Sequence, residues 1–136
     1  MPGINELELK NQIKAGDLKR VYLLYGAEDY LKKHYCKQLA DKTVRGKMEE
    51  FNLMQFEWRE SSVDEIADAV EMLPMMAEKR CVIVRDFDAE GIGASESAKM
   101  TQLLKDPPET CVLIFRLDTV QVNLKRSSKW KTFVKK

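Results

Sequence analysis

The 136-residue sequence predicts a three-layer α/β sandwich, a parallel β-sheet covered by helices on both faces. Three runs, VYLLY (21–25), CVIVRDF (81–87) and CVLIF (111–115), are continuously apolar and β-branched, as central strands covered on both faces are. Segments of helical spacing alternate with these runs, and such alternation builds βαβ units around a parallel sheet.

Residues 4–15 carry Ile4, Leu9 and Ile13 at helical spacing and stop at Gly16, a C′ glycine. After the first apolar run, residues 29–44 place Leu31, Tyr35 and Leu39, with Cys36 and Ala40, on one helix face. FNLMQFEWR (51–59) alternates Met54, Phe56 and Trp58 with Gln55, Glu57 and Arg59, which predicts a strand near a sheet edge. Ser62 and Glu65 form a capping-box pair ahead of Val63, Ile66, Val70 and Leu73, a helix over 62–73 that Pro74 stops. A further helix is expected over 94–105, ended by Asp106-Pro107-Pro108, and a short basic one over 125–135. DAEGIGASES (88–97) reads as a mobile loop.

Charge and composition exclude rather than assign. A net charge of +1 gives no global attraction to nucleic acid, so any electrostatic role must be local. No run approaches the ~20 apolar residues of a membrane span, and the start lacks a secretory signal, so a cytoplasmic protein without membrane contact is expected. Cys36, Cys81 and Cys111 have no zinc-site spacing and read as reduced core residues. His34 has no ligand set around it and reads as a solvated helix position. No metal and no cofactor are expected.

YGAEDYLKK (25–33) stands where a nucleotide-binding fold carries its phosphate loop, between a strand and a helix. In G-x-x-x-x-G-K-[ST] the second glycine allows close backbone approach, the lysine reaches the terminal phosphates and the hydroxyl holds magnesium. Gly26 and Lys32 are in register, but Leu31 and Lys33 replace the second glycine and the hydroxyl. Glu28 and Asp29 moreover place carboxylates where phosphates would arrive, opposing them by ~1–4 kcal/mol per charge pair in a partly solvated site. Gly26, Glu28, Asp29 and Lys32 are therefore read as a degenerate, non-binding phosphate-loop position, and no catalytic residue is assigned.

The order of motifs resembles the delta subunit family of the bacterial clamp loader in the DNA polymerase III holoenzyme. KAGDLKRVYLLYGAEDYL (14–31) is similar to that family's opening, LPMMAEKRCVIVRDFD (73–88) to its LPFF-x-x-RR turn and strand, and LLKDPPETCVLIF (103–115) to its L-x-x-PP-x-x-x-x-LIF element. The resemblance implies a single degenerate AAA+-like amino-terminal domain over 1–136, truncated before a fifth strand and lacking the lid and collar domains. It implies a non-catalytic part of the polymerase (nucleotidyltransferase) holoenzyme that grips the sliding clamp and helps open it for loading onto primed DNA during replication. Its expected partners are the clamp (beta subunit), the other loader subunits and, through the complex, primed DNA.

The resemblance places the clamp contact at Leu73, Pro74, Met75 and Met76, with methionines where aromatic residues are frequent in the family. Residue chemistry supports that location, because Pro74 ends the helix and the large apolar side chains beside it cannot all turn inward. The competing reading is that Met72, Met75 and Met76 cap the core beneath the sheet. Lys125, Arg126, Lys129 and Lys131 are candidate DNA contacts, against the reading of a solvated helix face. A P-loop NTPase with a diverged loop and a nucleic-acid-binding α/β module are the alternative functions.

Overall fold

The computed structural model describes residues 6–16, 18–24, 29–44, 46, 49–87 and 93–117. Its elements are α1 (Glu6–Ala15), β1 (Val21–Leu24), α2 (Asp29–Val44), α3 (Glu49–Asn52), β2 (Leu53–Glu57), a 3₁₀ turn (Trp58–Glu60), α4 (Val63–Glu71), β3 (Arg80–Arg85), α5 (Ala94–Lys105) and β4 (Cys111–Arg116). The strands form one parallel sheet in the order β1-β4-β3-β2.

Two apolar layers, one on each face, follow from the pleat. Cys81 and Ile83 of β3, with Val112 and Ile114 of β4, face a cluster built with Leu9 of α1 and Tyr35, Cys36, Leu39, Ala40 and Val44 of α2. Val82 and Val84, with Cys111, Leu113 and Phe115, face the opposite cluster, completed by Ile66 and Val70 of α4 and Met100, Leu103 and Leu104 of α5. Phe87 lies in that second cluster between Trp58 and Phe115, at ring distances of 4.7 and 5.4 Å. This is the expected three-layer sandwich.

Polar contacts fix the register around it. Tyr22 Oη donates to Gln12 Oε1 at 2.8 Å, tying α1 to β1. Arg85 and Glu57, directly paired across β3 and β2, are bridged at 2.7 Å. Lys99 of α5 reaches Asp64 of α4 at 2.9 Å. Gly16 takes φ +74 at the end of α1, the left-handed C′ conformation that its lack of a Cβ permits.

Several expectations need correction. β1 lies at an edge of the sheet among the described residues, as a sheet truncated before its fifth strand requires, rather than in the centre that its apolar run alone suggests: such a run reports covered faces, not paired edges. The strand expected over 51–59 is only Leu53–Glu57, flanked by helical turns, so Trp58 reaches the core from a 3₁₀ turn. The helix expected over 62–73 ends at Glu71, with Met72 extended at ψ 137, two residues before Pro74. Residues 94–97 of the expected mobile loop are the first turn of α5, and 88–92 lie outside the described residues. His34 is half-buried rather than solvated, stacked on Tyr30 at 5.9 Å and within 3.1 Å of Gln38 Nε2. Ile4 and the basic segment with Lys125, Arg126, Lys129 and Lys131 lie outside the described residues.

Candidate interaction turn and the phosphate-loop position

In a parallel sheet the crossover α4 runs from the carboxyl end of β2 back to the amino end of β3, which puts residues 72–79 at the amino-terminal edge of the sheet. The local sequence explains how the chain reaches that edge. Ser62 Oγ accepts the N–H of Glu65 at 3.2 Å and starts α4, whose buried side, Val63, Ile66, Ala69 and Val70, is spent within two and a half turns. Leu73 then precedes a proline, which disfavours helical backbone.

Beyond the helix the apolar residues face solvent. Met72, Leu73, Met75 and Met76 are 52, 76, 46 and 86% exposed, and Pro74 between them is half-buried. The reading in which these methionines cap the core therefore fails. Met76 also has φ +52, a left-handed conformation costing a non-glycine residue about 1 kcal/mol or more. The turn holds its most exposed methionine in an unfavourable backbone state. Phe51, 47% exposed, belongs to α3 at the same sheet edge, two residues before the strand that pairs with β3.

Two buried polar side chains brace this edge, and neither was singled out in the sequence. The fully buried Asn52 donates from Nδ2 to the Met75 carbonyl at 2.7 Å, and its Oδ1 accepts the Met75 N–H at 2.8 Å. Arg80, also buried, donates from Nη1 to the Phe51 carbonyl at 3.1 Å and from Nη2 to Met54 Sδ at 2.9 Å, while its Nε has no hydrogen-bond partner. An asparagine between a helical turn and a strand, and an arginine opening a strand, read locally as surface residues. Only the tertiary pairing reveals them.

The opposite edge carries the phosphate-loop position. Gly26 and Glu28 lie outside the described residues, and Asp29 is the first residue of α2. Lys32 is buried and donates from Nζ to the Leu117 carbonyl at 2.6 Å. The ammonium that would serve a nucleotide is thus engaged by main chain just past β4. Leu117 N–H in turn donates to the Leu24 carbonyl at 2.9 Å, closing this pole of the sheet.

All three cysteines are free and buried. Burial raises the Cys81 thiol far above its ordinary range, and raises Cys111 to about 12 despite the opposing charge of Arg80. They are core thiols, not nucleophiles. Among the described residues no set of His, Cys, Asp or Glu could hold a metal, and no helix is long and apolar enough to cross a membrane.

The comparisons agree with this fold. A model of the DNA polymerase III delta subunit family matches residues 22–136. The DNA polymerase III subunit delta of Bacillus subtilis is 39% identical over 75 residues, covering 54% of this chain and 21% of that protein. Among solved structures, the Bacillus subtilis DNA clamp loader delta protein matches with a TM-score of 0.82 at 24% identity, over 95% of this chain and 40% of that one. A DNA polymerase III gamma subunit-related protein from Thermotoga maritima shares the fold, with a TM-score of 0.59 at 15% identity over 93% of this chain and 49% of that one. The chain spans less than half the length of each of these proteins.

Proposed function

This chain belongs to the DNA polymerase III delta subunit family, and from that premise we propose that it is the clamp-gripping domain of a clamp loader, docking on the sliding clamp through Leu73, Pro74, Met75 and Met76 and helping to open it. The observation that carries the reading is the exposure of four large apolar side chains within five residues, Met72 to Met76, at one edge of a folded domain. Scattered apolar residues on a surface need no explanation, but a contiguous group on a braced turn marks an interaction site. Methionine is flexible and polarisable, suited to filling a groove on a partner. Burying Leu73, Met75 and Met76 would contribute ~1.5–3 kcal/mol each before the costs of ordering, enough to anchor a modest interface.

Catalysis is no part of this reading. Two of the residue types that a phosphate loop needs are replaced, and Lys32 is engaged by Leu117. The domain acts as one non-catalytic unit among loader subunits, and primed DNA is met through the assembled complex, with Lys125, Arg126, Lys129 and Lys131 as candidate phosphate contacts. A surface-binding measurement against a purified bacterial sliding clamp tests the proposal. Leu73→Ala, Met75→Ala and Met76→Ala are each expected to weaken binding by ~1 kcal/mol or more with the fold intact.

A further inference from the structure

We infer that Asn52 is the positioning residue of the docking turn, a buried side chain that touches no partner and sets the shape the partner meets. The inference rests on the clamp-docking reading above and concerns what holds that site in shape. Regular structure ends at Glu71, with the N–H of the following Met72 still donating to the Asp68 carbonyl at 3.1 Å, and resumes at Arg80. A segment of this length with most of its apolar side chains in solvent has little packing of its own to define it.

The Asn52 carboxamide supplies the missing definition. The Met75 N–H belongs to the peptide unit joining Pro74 to Met75, and the Met75 carbonyl to the unit joining Met75 to Met76. One planar amide grips both, at 2.8 and 2.7 Å, and so fixes the backbone on either side of Met75. This is the pairing that a neighbouring strand would offer, made by a side chain. It sets the direction of Leu73 and Pro74 on one side and imposes the left-handed Met76 on the other. Asn52 is itself held by chain connectivity, between Phe51, whose carbonyl accepts from Arg80, and Leu53, the first residue of β2, paired with Cys81. The turn is thereby referenced to the rigid sheet through 23 residues of sequence separation.

A partner that needs one arrangement of the turn binds more weakly by the fraction of molecules that leave it. If Asn52→Ala leaves roughly one molecule in ten in the docking shape, clamp affinity falls about tenfold, mainly through slower association. The test measures sliding-clamp association by this chain for wild type, Asn52→Ala and Met76→Ala, together with amide hydrogen exchange at Met75 and along β3. Support is a roughly tenfold weaker Asn52→Ala whose Met75 amide exchanges freely while Cys81 to Val84 stay protected. Asn52→Ala binding like wild type overturns the inference, and if Met76→Ala is weakened in the same series the docking reading survives it. Wild-type affinity in both variants overturns the two together. Should Asn52→Ala also lose protection along β3, Asn52→Leu, which keeps about the same volume and offers the Met75 peptide groups no hydrogen bond, replaces it under the same criteria.

Discussion

Lys32 Nζ lies 2.6 Å from the main-chain oxygen of Leu117, joining the helix after β1 to the segment after β4 at the pole where a working relative of this fold would hold triphosphate. The contact gives the lysine a structural task. Lys32→Ala is expected to destabilise the domain by ~1–3 kcal/mol, the cost of a lost charge-assisted hydrogen bond to a buried acceptor. Urea unfolding of wild type and variant measures it. Calorimetry with ATP and magnesium should give no saturable heat for either protein, and saturable binding by wild type alone would restore the nucleotide reading.

Met76 separates backbone strain from docking. Glycine adopts φ +52 without penalty, so Met76→Gly should leave stability unchanged or raise it by up to ~1 kcal/mol, while removing a side chain that is 86% exposed. Clamp binding should weaken in the same variant. Opposite signs in the two measurements identify Met76 as held for a partner, and a destabilised Met76→Gly would show that its side chain serves the fold.

The buried thiols give the domain an alkaline limit. Cys111 is held protonated up to about 12 in the folded state, against 9.0 for the unperturbed thiol, and Cys81 is raised further, both chiefly by burial. Above pH 9 the unfolded chain loses these protons and the folded one keeps them. Stability is therefore fully present below pH 9 and declines as pH rises toward 12, by up to ~1.4 kcal/mol per pH unit for each thiol. Denaturant unfolding under reducing conditions at pH 8, 9 and 10 should show a shallower decline in Cys81→Ala and Cys111→Ala than in wild type. Equal slopes would show that other groups carry the effect.

Much of the architecture was legible because it is written locally. Continuous apolar runs gave β3 and β4, the alternation in Met54-Gln55-Phe56-Glu57 gave an edge strand, and Ser62 with the 3–4 spacing of Val63, Ile66 and Val70 gave α4 with its cap. The exposed turn was legible in part, since Pro74 beside three large apolar residues limits how many can be buried. What was not legible is tertiary. Asn52 finds Met75 across 23 residues, and Arg80 buries its guanidinium against the Phe51 carbonyl, whereas the edge position of β1 follows from a sheet truncated before its fifth strand and not from its apolar run. Side-chain periodicity records which faces are covered, and carries no signal for backbone edges or for one distant amide.

The most direct measurement compares this chain with its Leu73→Ala, Met75→Ala, Met76→Ala triple variant for binding to immobilised bacterial sliding clamp, with circular dichroism and unfolding midpoints checking that both are folded. Saturable binding by wild type and an affinity at least roughly tenfold lower in the triple variant are the expected result. Equal affinity of two equally folded proteins would contradict the assignment of this turn as the surface that meets the clamp.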